Sequence, residues 1–150
     1  MNKSFLISFL FALAPITWLV GQKPTIAVTT ECGKVVESEF TNNNEAQDVK
    51  LRLAAGDILD VNIIPIGNYL KVCAKVIDPG GTIIMDIKEN TMYRTDKKSL
   101  IVKSEILSAS GIYTIRISNY HPGGNGLGKV GLYTVSVRCI KRDGQVIEPK

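Results

Sequence analysis

Few side chains of this 150-residue chain could support hydrolysis, and none lies in a recognisable catalytic motif. His121 is the only histidine, and no motif links it to a serine or cysteine nucleophile. A pair of carboxylates can cleave a glycosidic bond, but that reaction needs a cleft that a small β domain seldom provides. The aspartates available for such a pair are Asp57, Asp60, Asp78 and Asp86, and Asp57 and Asp78 have the positions of turn residues. We therefore expect no enzymatic activity and assign no catalytic residue.

A glycine-rich stretch, Gly123 to Gly128, has the composition of a phosphate-binding loop but not its context. Loops of that kind lead from a buried strand into a helix. Here the next segment has the periodicity of a strand. We therefore interpret the stretch as a flexible hairpin connection.

The first 27 residues have the pattern of an export signal. Lys3 provides a short positive start, and an apolar run of 16 residues follows it. Thr25 and Ala27 are small residues at the −3 and −1 positions of a cleavage site, which predicts removal of residues 1–27, with a cut after Gly21 as the alternative. Because a membrane span usually needs ~20 apolar residues, we favour cleavage over a retained anchor. An exported protein, periplasmic or extracellular, with no stable membrane span after processing, is the expectation.

The charge balance argues against nucleic acid as a partner. The formal net charge is +4, and removal of Lys3 and Lys23 with the signal lowers it to +2. No basic run, no alternation of basic with aromatic side chains and no zinc-ligand spacing accompanies this small surplus.

Export determines how the three cysteines are interpreted, because disulfides persist outside the cytoplasm. Cys32 lies at the start of the predicted mature domain and Cys139 at the end of its last predicted strand, so we predict a disulfide between them. Closing so long a loop stabilises a fold by about 4–5 kcal/mol in the chain-entropy model. Cys73 is left over as a thiol outside this bond, and it shares a strand face with Lys71 and Lys75, which predicts that it lies on the polar face of its strand. An intermolecular disulfide or redox role stays open, but we favour an inert, partly covered thiol, because no Cys-x-x-Cys motif is present.

Strands rather than helices must position these residues. The phrase Gly-apolar-Tyr-Thr-apolar-x-apolar occurs twice, at Gly111–Ile117 and at Gly131–Val137. Each copy has a turn glycine followed by aromatic and β-branched residues at every second position, which is typical of a half-buried strand. Tyr113 and Tyr133 are therefore expected to face the core.

Other short alternating segments recur about every ten residues, and together they predict an all-β fold. They are Gly33–Phe40, Val49–Leu53, Ile58–Ile64, Tyr69–Ile77, Thr82–Ile87 and Ser99–Leu107. About eight or nine strands without helices indicate an antiparallel β-sandwich of jelly-roll-like type. We expect one domain, residues 28–144, in which residues 41–48 form a polar loop, and a flexible tail at residues 145–150.

The order of the turn motifs resembles the bacterial pre-peptidase C-terminal domain family. The resemblance covers roughly residues 32–139 and is carried by Ala55-Gly56-Asp57, by Val76-Ile77-Asp78-Pro79-Gly80-Gly81-Thr82 and by the two glycine-tyrosine phrases. It implies a compact β-sandwich that serves beside a secreted protease or another exported enzyme as an accessory, binding or processing module. We expect this chain to be a solitary copy of such a module, without a catalytic domain beside it.

The resemblance also raises the question of calcium, which some relatives bind near their first strands. Oxygen ligands in the corresponding region are Glu39, Asn42, Asn43, Asn44, Glu45 and Asp48. They lack a fixed ligand spacing such as that of an EF-hand loop. We therefore assign no metal ligands and expect no cofactor, with calcium as the one candidate.

These observations favour a non-catalytic binding or accessory module that contacts envelope protein or polysaccharide through its loops. The loops are Thr41–Asp48, Lys88–Lys98 and Asn119–Lys129, and the predicted contact residues on them are Tyr93, Tyr120, Asn43 and Asn44. Tyrosine offers a large contact area at a low entropic cost. The alternative is a processing or chaperone-like partner of a separately encoded exported protease.

Overall fold

The computed structural model describes residues 26–42, 45–66, 70, 72–87, 99–119 and 130–150. These residues contain ten strands and no helix, which confirms the all-β prediction with slightly more strands than expected. The strands are β1 Ile26–Thr29, β2 Val35–Phe40, β3 Ala46–Leu53, β4 Ile58–Pro65, β5 Cys73–Ile77, β6 Ile83–Ile87, β7 Leu100–Lys103, β8 Gly111–Ser118, β9 Gly131–Ile140 and β10 Val146–Ile147.

Two five-stranded sheets form a sandwich. The first sheet has the order β1-β3-β8-β5-β6, and the second has the order β10-β9-β4-β7, with β2 paired to β9 beside β10. The pairs are antiparallel except for β1 and β3, which run parallel. β4 lies between β7 and β9.

The core lies between the sheets and is built from alternate residues of the strands. Tyr113 is 1% exposed and Tyr133 is fully buried, so the inward placement predicted for both tyrosines is confirmed. Most of the other fully buried large side chains are aliphatic: Leu51, Leu59, Ile63, Ile115, Ile117, Val61, Val76, Val102 and Val135.

The two glycine-tyrosine strands lie in different sheets. β8 pairs with β3 and β5, whereas β9 pairs with β4 and β2. The connection that contains Gly123–Gly128 therefore crosses from one sheet to the other, and the prediction of a hairpin is wrong. The reason is that each strand already has a neighbour on both sides, so neither edge is left for the other strand.

Three chain boundaries also differ from expectation. β1 includes Ile26 and Ala27, which the sequence placed before the cleavage point, and these residues pair with Gln47 and Asp48 of β3. β3 begins at Ala46, so the loop predicted to reach residue 48 is shorter. Residues 145–150 are not a free tail, because β10 pairs with the end of β9.

The predicted disulfide between Cys32 and Cys139 is confirmed. Their Cα atoms are 5.6 Å apart, and Cys139 is fully buried in the core. Cys73 alternates with the inward-facing Ala74 and Val76, as predicted, but it is only 8% exposed. Cys73 is therefore more fully covered than the partly covered thiol that was expected.

Candidate binding site at the loop-bearing end

Strand register brings two predicted loops to the same end of the sandwich. Phe40, the last residue of β2, pairs with Gly131, the first of β9. Ala46, the first residue of β3, pairs with Ser118, the last of β8. The connections 41–45 and 119–130 therefore begin and end side by side.

Two further connections are attached at this end. β5 begins at Cys73, opposite Ser118, and β4 ends at Pro65, opposite Tyr133. The connection between them, residues 66–72, therefore joins the same end.

The connection between β6 and β7, residues 88–99, is attached there as well. β6 ends at Ile87 opposite Ala74, and β7 begins at Leu100 opposite Ile63. We call the end that carries the connections 41–45, 66–72, 88–99 and 119–130 the loop-bearing end.

The contact residues predicted from sequence belong to these connections. Asn43, Asn44, Tyr93 and Tyr120 lie outside the described residues, as does His121. The residues that flank them all lie at the loop-bearing end, so the four belong to connections that share this end. Their contact role stays a prediction.

A hydrogen-bond network centred on Glu45 holds the bases of two of these connections together. Its Oε2 accepts hydrogen bonds from the backbone N–H groups of Thr41 at 2.8 Å and Asn42 at 3.0 Å. Its own backbone N–H donates to Asn119 Oδ1 at 2.9 Å, and Asn119 Nδ2 donates to the Asn42 carbonyl at 2.7 Å. Burial on its own would raise the pKa of Glu45, but hydrogen bonds from Gln47, Asn42 and Thr41 outweigh it and hold the pKa below its ordinary value.

Gln47 connects this network to the core and to the other sheet. Its Nε2 donates to Glu45 Oε1 at 2.9 Å and to the Glu39 carbonyl at 2.7 Å. Its Oε1 accepts from Ser38 Oγ and from the Tyr133 hydroxyl, both at 2.5 Å. Because β3 lies in the first sheet while β2 and β9 lie in the second, this amide bridges the sandwich.

Tyr133 is held between this amide and an aromatic neighbour. Its ring stacks on Phe40 with the ring centroids 4.7 Å apart. Burial raises the pKa of the Tyr133 hydroxyl to about 12, with the nearby Glu45 charge adding to the effect and a hydrogen bond with Ser38 opposing it. The hydroxyl therefore stays protonated and donates to Gln47 throughout the physiological range.

Sequence reasoning missed Gln47 and Asn119, which are both only 3% exposed. Gln47 continues the inward positions of Val49 and Leu51 once β3 is extended to Ala46, and that extension was the available signal. Asn119 follows the last inward residue of β8 by two positions. A polar residue at an inward position is normally treated as the end of a strand, and this hid both residues.

The opposite end of the sandwich has short turns and a buried ion pair. Asp57 is 2% exposed, and its Oδ2 accepts from Lys141 Nζ at 2.7 Å and from the Ala54 N–H at 3.1 Å. Burial tends to raise the pKa of Asp57, but the hydrogen bond and charge of Lys141 and the backbone donors lower it below its ordinary value. A shallow depression of about 370 Å³ beside this pair is lined by Arg52, Leu53, Ala54, Ser110, Gly111 and Lys141.

Each of the four aspartates that were candidates for a catalytic pair has another structural role. Asp57 and Asp78 are turn residues as predicted, and Asp78 Oδ1 accepts from the Thr82 N–H at 2.8 Å. Asp60 lies 3.2 Å from Arg138 in the second sheet, and Asp86 lies 3.4 Å from Lys75 in the first. The structure therefore brings no two of these carboxylates into a shared site.

Two of the candidate calcium ligands also have other partners. Glu45 holds the turn at Thr41, and Asp48 forms a two-pronged ion pair with Arg116 at 2.8 and 2.9 Å. Among the described residues, no three histidine, cysteine, aspartate or glutamate side chains form a group suited to a metal ion. Asn43 and Asn44 lie outside those residues.

Comparisons with known proteins bear on the fold. No protein-family model matches the chain, and no curated protein matches it. The part of the chain that is described also contains no helix long and apolar enough to cross a membrane.

Solved structures show where similar folds occur. The pre-peptidase C-terminal domain of a collagenase from Bacillus anthracis aligns with 78% of this chain and 99% of that domain, with a TM-score of 0.53 and 12% identity. Periplasmic inhibitors of g-type lysozyme from Aeromonas hydrophila and Salmonella Typhimurium align with 77% of this chain and 99% of their own, with TM-scores of 0.48 and identities of 16% and 17%. At such identities the first likeness concerns architecture: the chain has the fold of the pre-peptidase C-terminal domain, the family that its sequence resembles.

Proposed function

We propose that the protein is an exported, non-catalytic binding module that contacts a protein or polysaccharide of the cell envelope through its loop-bearing end. The observation that carries this proposal is the convergence of the connections 41–45, 66–72, 88–99 and 119–130 on one end of the sandwich. Binding residues are found disproportionately on loops that a rigid scaffold positions.

The scaffold beneath the loops has the rigidity that such a role requires. Asn119, at the end of β8, accepts from the Glu45 N–H at 2.9 Å and donates to the Asn42 carbonyl at 2.7 Å. Gln47 then connects Glu45 to the Tyr133 hydroxyl of β9 through hydrogen bonds of 2.9 and 2.5 Å. A fully hydrogen-bonded buried network restrains its members to one arrangement. Loops anchored in this way lose less conformational entropy on binding, which favours affinity.

The chemistry of the described residues supports binding rather than catalysis. The buried carboxylate of Asp57 is paired with Lys141, and the buried hydroxyl of Tyr133 is held protonated by burial. Neither group has the exposure that a reacting side chain needs.

The test is a saturable binding measurement with loop variants. Residues 22–150 are immobilised and exposed to an envelope fraction and to purified envelope polysaccharides, and the retained ligand is then titrated in pure form. Tyr93→Ala and Tyr120→Ala are expected to weaken binding at least about thirtyfold if these tyrosines are central contacts, since such contacts contribute 2 kcal/mol or more.

The matched control is Ile106→Ala. Ile106 is 71% exposed and lies between β7 and β8 at the opposite end, so its loss should leave binding unchanged. Equal weakening by the control, or no effect of either tyrosine variant, would contradict the proposal. A captured protease whose activity changes on binding would instead favour the processing-partner alternative.

A further inference from the structure

The outer face of the second sheet carries an apolar cluster next to the loop-bearing end. Its members are the exposed side chains of Ile64, Ile66, Ile101 and Leu132, which are 40–63% exposed. We call these four residues the apolar patch. Single exposed side chains of this kind are normal on a protein surface. A contiguous group of them beside the proposed binding site indicates an interaction surface.

Strand register makes the patch contiguous. The Ile66 N–H donates to the Leu132 carbonyl at 2.8 Å, which places these two residues side by side. Ile64 of β4 lies two residues before Ile66, which directly follows the strand, so both side chains point to the same face. Ile101 pairs with Asn62 and is thus the diagonal neighbour of Ile64, a separation that large side chains can span.

The side of the patch formed by β2 carries only negative charge. Glu39 pairs with Leu132, and Glu37 pairs with Thr134 one row further along. Both glutamates are exposed, and within the described part of the chain neither carboxylate forms an ion pair. Farther from the loops, the patch ends at Arg138, which forms ion pairs with Asp60 at 3.2 Å and with Glu148 at 2.8 Å.

We propose that the apolar patch and its two glutamates are a docking surface for a protein partner that presents aliphatic side chains beside lysine or arginine. Aliphatic side chains on the partner match the patch, and basic side chains complement Glu37 and Glu39. This inference rests on the proposed function and extends its site from the loops onto the sheet.

The composition of the patch favours protein over polysaccharide. Sugar rings are best held by aromatic side chains that stack on their C–H faces, and the exposed large hydrophobic residues of the described part are all isoleucine, leucine or valine. Branched aliphatic side chains pack well against other aliphatic side chains, because the interaction depends on area removed from water.

Two synthetic peptides test the proposal. They share the same isoleucine and leucine positions and differ only in carrying lysines or glutamates between them. Titration into isotopically labelled protein, followed by amide chemical-shift changes, should show the lysine peptide shifting resonances of β4, β7 and β9. The glutamate peptide should bind at least about tenfold more weakly.

Variants then separate the two parts of the surface. Ile64→Ser with Leu132→Ser should abolish the shifts caused by the lysine peptide. Glu37→Gln with Glu39→Gln should leave apolar contact but remove the preference for lysine over glutamate. Raising the salt concentration should weaken binding of the lysine peptide to the parent protein, because exposed charges are screened beyond about 10 Å at 0.1 M salt.

Ile83→Ser with Ile84→Ser is the matched control, since these residues are 50% and 41% exposed but lie on the first sheet. This pair should not alter the titration, and all variants must keep the dispersed spectrum of the parent protein. Equal binding of the two peptides, shifts confined to other surfaces, or loss of binding in the control would overturn the proposal. Concentration-dependent dimerisation abolished by the patch variants would also overturn it, because the occupant would then be a second copy of the chain.

Failure of the docking-surface proposal can be distinguished from failure of the proposed function. If Tyr93→Ala and Tyr120→Ala leave envelope binding intact while the patch variants remove the lysine-peptide shifts, binding through the loops is wrong and the docking surface is supported. If the tyrosine variants lose the envelope ligand and the lysine peptide gives no shifts at the patch, binding through the loops is supported and the proposed docking surface is wrong.

Discussion

The Tyr133 hydroxyl donates a hydrogen bond of 2.5 Å to Gln47 Oε1 across the interior of the sandwich. Both residues are buried, and they belong to different sheets. Tyr113, which has the equivalent position in the other glycine-tyrosine phrase, instead donates to the Ala109 carbonyl at 2.7 Å in its own connection. The two tyrosines occupy the same position of one sequence pattern but form different contacts. Tyr113 closes a local turn, and Tyr133 joins the two sheets.

Alkaline unfolding should report on Tyr133. Its pKa is raised from 10.0 to about 12, so its contribution to stability is complete below pH 10 and is lost as the pH rises towards 12. A shift of this size corresponds to about 2–3 kcal/mol. Urea unfolding of Tyr133→Phe between pH 8 and pH 12 should therefore show a shallower alkaline decline than the parent protein, in addition to a loss of about 1 kcal/mol at neutral pH. Tyr113→Phe is the control, and it should keep the steep decline.

The two phrase glycines should differ in their tolerance of alanine. Gly111 and Gly131 have φ angles of +153° and +154°, so the backbone strain that alanine adds is the same at both. A Cβ at Gly111 would lie 2.7 Å from Pro79, whereas at Gly131 the nearest atom is 3.8 Å away, on Leu70. Gly111→Ala should therefore reduce the free energy of unfolding by roughly 1–3 kcal/mol more than Gly131→Ala. Equal losses in urea titrations would contradict the close approach to Pro79.

Acid unfolding should report on Asp57. Its pKa is lowered from the ordinary 3.8, so its contribution is present above that pH and is lost as the pH falls through the lower folded-state value. Asp57→Asn should cost about 1–3 kcal/mol at neutral pH, because it leaves Lys141 without its charge partner. The same variant should then lose less stability than the parent protein between pH 4 and pH 2, measured by thermal unfolding. Asp143→Asn, an exposed turn substitution, should follow the parent curve, and a parallel response of Asp57→Asn would argue against this role.

The pairing of β1 with β3 predicts where the mature protein begins. A cut after Ala27 would remove two of the four β1 residues that pair with β3, whereas a cut after Gly21 would keep the strand whole. We therefore expect N-terminal sequencing of the exported protein to begin at Gln22. Purified proteins that begin at Gln22 and at Val28 should differ by about 1–2 kcal/mol in unfolding free energy, because the shorter one lacks two ladder positions. Identical stability would show that the first half of β1 contributes nothing.

Local patterns predicted the individual strands well. Alternation around Tyr113 and Tyr133 correctly predicted which side chains face inward, because burial on a strand repeats every second residue whatever the strand pairs with. The same reasoning failed for Ile26–Thr29, where small residues suited both a cleavage site and a strand. The pairing of that segment with β3, twenty residues further along, shows the strand and favours the alternative cut after Gly21, which stays a prediction.

The candidate site was predictable only in part. Loop composition directed attention to Asn43, Asn44, Tyr93 and Tyr120, and their contact role stays a prediction. Gln47 was not predictable, because its burial depends on Tyr133 and Ser38 lying opposite it in the other sheet. The apolar patch was equally hidden, since Ile101 and Leu132 become neighbours of β4 only when three strands align.

By itself, the sequence determined the all-β class, the positions of most strands, the inward tyrosines and the pairing of Cys32 with Cys139. These features depend on side-chain periodicity and turn residues, which act over a few neighbouring positions, and on the order of strands along the chain. Only the tertiary structure decided that β8 and β9 belong to different sheets and that four connections share one end. A strand edge can form hydrogen bonds with almost any other strand, so the choice of partner depends on burying all the apolar faces at once.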